Sequence, residues 1–255
     1  MKSSAIYKFQ LAEHKKSSLI FCLVILAILA FIPIYNGFSS MFSVQSDVTI
    51  HVTGIDMAPA IFLFVCGLNA FKDSFYIALQ NGISRKSLFI NRIYVVLTLS
   101  IAMALFDQIV MILGNAVDSL SGSIEYSGLL EQIYGSQFGS QSGGFLMYFE
   151  SFLFLTTLFI AFLSLGYLIT VTFYRMNKKQ KISYVVGFYV VVFVILPIID
   201  MLMASQLSII LFKFLDLTMG ISAQNPLIGM FSLIIFSIIL SGLTWILIRK
   251  AGVKN

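Results

Sequence analysis

The chain has 255 residues, 59% of them hydrophobic and only 11% charged, with a mean hydropathy of +0.97. So little polar surface excludes an ordinary soluble domain and points to a polytopic membrane protein. The formal charge of +5 sits at the ends of apolar runs. It therefore reads as membrane topology, and no nucleic-acid partner is expected.

Crossing a bilayer takes about 20 apolar helical residues, and six runs qualify, near 18–38, 57–79, 93–115, 145–173, 182–202 and 226–248. The expected fold is all-α, one membrane domain over 1–255 with six transmembrane helices and both termini in the cytoplasm. Segment 1–17 is expected as a short inner-surface helix, with Ala5, Ile6, Phe9 and Ala12 on one face and Lys8, Lys15 and Lys16 near lipid phosphates. The apolar run behind it is long for a signal h-region and lacks an A-x-A-like site, which argues against cleavage. Pro33 and Gly37 are expected to break the outer end of the first span.

Segment 71–93, FKDSFYIALQNGISRKSLFINRI, joins the second and third runs. It has a turn signal at Asn81-Gly82 and carries Lys72, Arg85, Lys86 and Arg92. The third run holds Asp107 and Gln108 in its outer half, and the loop 117–144 ends in GSQFGSQSGG, a composition that predicts a mobile loop. The fourth run has Glu150 near its outer end, and the basic YRMNKKQK follows it. The fifth has Pro197 and Asp200 near its outer end. Segment 203–225 stays apolar but contains Lys213 and Asp216, so a re-entrant outer helix or hairpin is expected there, with Asn225-Pro226 opening the last span.

With this topology the inner segments hold Lys2, Lys8, Lys15, Lys16, Lys72, Arg85, Lys86, Arg92, Arg175, Lys178, Lys179, Lys181, Arg249, Lys250 and Lys254, leaving only Lys213 outside. Asp47, Asp56, Asp118, Glu125, Glu131 and Asp216 fall outside. Such asymmetry orients the chain.

No G-x-x-x-x-G-K-[ST], H-E-x-x-H or G-x-S-x-G motif occurs, so neither ATP hydrolysis by a phosphate loop nor intramembrane catalysis is expected of this chain. Cys22 and Cys66 lie in apolar runs as small hydrophobes, and two histidines, His14 and His51, are too few for a metal cluster. The 25 Phe and 11 Tyr read as lipid-facing bulk and interfacial belts, and none is assigned to a site. Asp107, Glu150 and Asp200 are the candidate substrate-pathway residues, since an ionised carboxylate in hydrocarbon costs several kcal/mol. Glu150 and Asp200 also fit the headgroup level, and Asp107 also fits packing against Gln108 or a hydroxyl.

The words NGISRK at 81–86, preceded by Leu79-Gln80, resemble the cytoplasmic connector of ABC-2 type permeases, the membrane subunits of ATP-binding-cassette exporters of Gram-positive bacteria. The layout of the whole chain is similar as well. The resemblance implies a bacterial plasma-membrane location, a separate ATPase subunit that binds ATP and Mg, a second permease subunit (the same or a different chain), and no cofactor in this chain. It also makes 71–93 the coupling connector, with Phe75, Gln80, Asn81, Gly82, Ser84, Arg85 and Lys86 as ATPase-coupling residues. Size and the absence of large outer domains resemble the exporters of amphipathic peptides, of the phenol-soluble modulin and lantibiotic-immunity kind. The substrate expected is an amphipathic peptide or another hydrophobic molecule. The alternative is a stand-alone ion-coupled carrier using Asp107, or a membrane immunity or sensor protein without an ATPase.

Overall fold

The computed structural model describes residues 2–42, 50–121, 124–138 and 144–252. In chain order these form α1 (Lys2–Phe42), β1 (Ile50–Thr53), α2 (Met57–Asn69), α3 (Lys72–Gln80), α4 (Arg85–Ser121), β2 (Ile124–Ser127), α5 (Leu129–Phe138), α6 (Phe145–Arg175), α7 (Lys178–Val190), α8 (Leu196–Leu202), α9 (Gln206–Met219) and α10 (Pro226–Arg249). A π turn, Val191–Ile195, joins α7 to α8. It lies just before Pro197, which has no N–H and whose ring crowds the carbonyl one turn earlier, so the turn opens by one residue.

Among the described residues the protein is all-α apart from two four-residue strands, which pair in parallel from Ile50↔Ile124 to Thr53↔Ser127. Among the described residues five helical runs are long and apolar enough to cross a membrane, in α1, α4, α6, α7 through α8, and α10, and α2 with α3 makes a sixth if that pair, bent by 40°, is one span. The core is the faces of α2, α4, α6 and α10: Ala60 and Leu63, then Val95, Leu99 and Met103, then Leu155, Phe159 and Leu163, then Met230 and Leu233. At the end of the bundle carrying α3, Ile6, Phe71, Phe75, Leu88, Val171 and Ile248 form a second cluster. At the far end, Leu29, Val110, Met111 and Tyr126 form a third.

Four expectations change. Segment 2–17 is no separate helix but the opening of α1, since nothing between His14 and Ser18 breaks a helix. Its buried residues are Ile6, Gln10 and His14, leaving Ala5 and Phe9 on the open side. Pro33 does not end α1, which runs through it to Phe42; one lost hydrogen bond is tolerated in a 41-residue helix. The run 57–79 is two helices, because Ala70 and Phe71 break it just before the first charges, Lys72 and Asp73. Of the loop expected over 117–144, residues 117–121 extend α4, 124–127 form β2 and 129–138 form α5; 139–143 lie outside the described residues.

Segment 203–225 holds α9, whose 14 residues span roughly 21 Å, less than a bilayer core. Asp200 Oδ1 accepts from Ser208 N at 2.9 Å and Ser208 Oγ donates to Asp200 Oδ2 at 2.5 Å, while Asp216 accepts from Ser222 N and Ser222 Oγ. Each aspartate clasps the turn at one end of α9. From Lys178 to Met219 the hairpin of α7, α8 and α9 has no buried residue.

Candidate functional site

Of the letters NGISRK, all but Lys86 have a local task. Gly82 N donates to Leu79 O at 3.0 Å and Ile83 N to Ala78 O at 2.9 Å, with Gly82 at φ +66°. This is the Schellman stop of α3, with Asn81 as C-cap, a left-handed glycine after it, and Ile83 packed near Ala78. Asn81 Nδ2 adds a bond to Ile77 O at 2.8 Å. Ser84 then caps α4, its Oγ accepting from Ser87 N at 3.2 Å. The hexapeptide stops one helix and starts the next.

These caps give a measurable expectation. Gly82→Ala forces a side chain into the left-handed region and costs about 1–2 kcal/mol, and Ser84→Ala removes a cap worth about 1 kcal/mol. Thermal unfolding in detergent should rank wild type above Gly82→Asn above Gly82→Ala, because asparagine tolerates that conformation better. Equal melting for all three would show that the turn carries no such demand.

The connector is fastened on two sides. Phe71 and Phe75 are fully buried and stacked at 4.8 Å, and Tyr167 and Tyr174 of α6 meet them edge-on at 5.1–5.8 Å. Phe75, expected as a coupling contact, is thus an anchor rather than part of the outer face. Arg85 is also engaged: Nη1 donates to Arg249 O at 2.7 Å, a cation on the carbonyl end of α10. The open face carries Lys72, Asp73, Tyr76, Ile77 and Gln80, followed by Asn81, Gly82 and Lys86, with Tyr76 50% exposed. Beside it, a groove of about 420 Å³ lies between α1 and α3, lined by Ala5, Ile6, Phe9, Ile77, Ala78 and Ile83.

Two charged groups have roles that loop-by-loop counting misses. Arg92, counted among the inner basic residues, is 1% exposed. It lies on the buried stripe Leu88, Arg92, Val95, Leu99 of α4, and that spacing is the available sequence signal. Asp56, counted as an outer acid, is buried at the far end, where its Oδ2 accepts from Leu129 N at 2.5 Å and so caps α5.

Asp107, also 1% exposed, lies in mutual hydrogen-bonding reach of Asp56. Asp56 Oδ1 and Asp107 Oδ2 meet no other donor, and two carboxyl groups bond only with a proton between them. Burial pushes the Asp56 carboxyl up from the usual aspartate range, partly offset by the Leu129 N–H. The partner expected for Asp107, Gln108, instead donates to Ser151 Oγ of α6 at 3.1 Å. Glu150 is half-buried with Oε2 unpartnered, and Asp200 is clasped by Ser208. Among the described residues no three His, Cys, Asp or Glu side chains are placed to hold a metal.

No family model, no curated protein and no solved structure matches the chain.

Proposed function

We propose that the chain is the permease subunit of an ABC exporter. In this reading it sits in a bacterial plasma membrane and pairs with a second permease subunit and a separate ATPase. The assembly moves an amphipathic peptide or another hydrophobic substrate outward. The chain itself is no enzyme, and ATP and Mg belong to its partner. The observation that carries this reading is the connector: α3 is a nine-residue helix with one face locked to α6, its exit tied through Arg85 to α10, and its opposite face open. Force applied to Tyr76 and Ile77 moves α3 as a body, and α4 and α10 must follow.

The test is recovery of an ATPase with tagged protein in mild detergent, alongside a Tyr76→Ala/Ile77→Ala variant. Both side chains are exposed, so the variant should melt like wild type yet lose the ATPase and export. If wild type recovers no ATPase, or the variant exports normally, the reading fails.

A second reading is favoured by the Asp56–Asp107 pair: an ion-coupled carrier, or an immunity or sensor protein, that works without an ATPase. Its signature is proton-driven uptake into liposomes by the chain alone, abolished in Asp107→Asn.

A further inference from the structure

Where α6 ends, α7 begins and α10 ends lies an open pocket of about 520 Å³, lined by Thr172 and Arg175 of α6, Gln180, Ser183 and Tyr184 of α7, and Leu247 of α10. It is at the end of the bundle that carries α3, since Val171 and Ile248 belong to the cluster around Phe71 and Phe75. Its size falls within the roughly 300–1,000 Å³ of small-molecule sites.

The lining differs from that of a helix facing only hydrocarbon. Gln180, Ser183 and Tyr184 stand at i, i+3 and i+4 and so share one face of α7. The Tyr184 ring meets Phe173 of α6 edge-on at 5.6 Å, which sets that face against α6. Gln180 Oε1 accepts from Asn177 N at 2.9 Å, which leaves its Nε2 to donate. Ser183 and Tyr184 add two hydroxyls and Arg175 a guanidinium, so the lining favours an acceptor that carries negative charge. Thr172 takes no part, because its Oγ1 donates to Leu168 O at 2.8 Å.

The charge around the pocket is one-sided. Lys178, Lys179 and Lys181 surround Gln180 in sequence, and Arg249 and Lys250 follow Leu247 at the end of α10. No Asp or Glu occurs between Glu150 and Asp200 or after Asp216. Farther along the same face of α7 the surface turns apolar: Gly187 has open space about it and Phe188 is 57% exposed. A ligand that suits both parts has anionic oxygens at one end and hydrocarbon at the other.

We propose that this pocket binds the headgroup of an anionic phospholipid, with its phosphate between Arg175 and the donors of Gln180, Ser183 and Tyr184 and its acyl chains running past Gly187 and Phe188. Basic pockets between membrane helices suit such headgroups. The lipid bridges α6 to α7. It thereby fastens to the bundle a hairpin in which no residue from Lys178 to Met219 is buried.

Purified protein in neutral detergent is titrated with phosphatidylglycerol, phosphatidylcholine or soluble glycerol 3-phosphate, following melting temperature, and retained lipid is counted by native mass spectrometry. The expected result is a saturable rise in melting temperature with phosphatidylglycerol alone, and its selective retention. Ser183→Ala/Tyr184→Phe removes two donors without changing the charge and keeps the ring against Phe173; both positions are exposed, so the fold should survive. Its half-saturating phosphatidylglycerol concentration should rise about tenfold. Arg175→Gln should rise at least as far, while Lys72→Gln, which loses the same charge from the exposed face of α3, should match wild type. Equal responses to the two lipids overturn the proposal. So does a wild-type response in Ser183→Ala/Tyr184→Phe, which would reduce the cations to a diffuse field. A saturable response to glycerol 3-phosphate equal to that of phosphatidylglycerol would make a soluble phosphate ester the ligand instead of a lipid.

Discussion

Gly67→Ala and Gly166→Ala should each lower the melting temperature by roughly 6–12 °C, which corresponds to about 3 kcal/mol in a chain of this size. The cause is where α2 meets α6. A Cβ on Gly67 would lie 2.4 Å from Leu163 O and 2.9 Å from Tyr167 N, and one on Gly166 would lie 2.2 Å from Phe64 O and 3.1 Å from Leu68 N. The atoms in the way are backbone, so no rotamer change relieves the clash and the helices must separate. Separation also breaks the bond from Thr170 Oγ1 to Leu68 O at 2.5 Å and loosens Leu63 and Leu163, both fully buried. Helices packed in lipid rely on such close approach, since burial from water contributes little between them. One displacement relieves both clashes, so the double variant should lose less than the sum of the singles. Gly187→Ala and Gly242→Ala are the controls: nothing lies within 4 Å of either Cβ, and alanine favours a helix by about 1 kcal/mol over glycine. If Gly67→Ala melts within about 1 °C of these controls, the α2–α6 crossing is not as close as described.

The same contrast separates what could be read along the chain from what could not. Apolar run length located five helices long enough to cross a membrane, because a helix satisfies its own backbone in lipid, but it merged α2 and α3 into one. The turn at Asn81-Gly82 was readable, because C-caps and N-caps are local chemistry, although Ser84 was expected as a coupling residue and is a cap. Asn81, Gly82, Ile83 and Ser84 need only their neighbours to define a stop and a restart. The charged residues were harder. Counting them by loop treats Arg92 as an inner-side cation and Asp56 as an outer anion. Yet Arg92 lies on the buried stripe of α4, and Asp56 caps a helix 73 residues away. Arg85, expected as an ATPase-coupling cation, is held by the carbonyl end of α10, 164 residues on, which no local pattern marks. Nothing near Gly67 in sequence marks Gly166 as its neighbour, and the two-stranded sheet pairs segments too short to carry a strand pattern.

Asp56→Asn and Asp56→Ala should move stability in opposite directions at neutral pH. The raised carboxyl of Asp56 means the folded state holds its proton more tightly than the unfolded chain does, where an aspartate titrates near pH ~4. Protons bound to the folded state exceed those bound to the unfolded one as pH rises from that value, so stability falls with rising pH across the window up to the folded-state value and levels off above it. Asparagine keeps an oxygen for Leu129 N and offers N–H donors to Asp107 without needing the shared proton. Asp56→Asn should therefore gain stability relative to wild type as pH rises above the unfolded aspartate value. Alanine leaves the Leu129 N–H without its cap and Asp107 without its partner, at about 1–3 kcal/mol for each buried polar group. Melting curves from pH 4.5 to 8 for the three proteins read this directly. An Asp56→Asn variant whose stability follows pH in parallel with wild type's, or one as damaged as Asp56→Ala, would mean that the two carboxyl groups do not share a proton at the α2–α4–α5 junction.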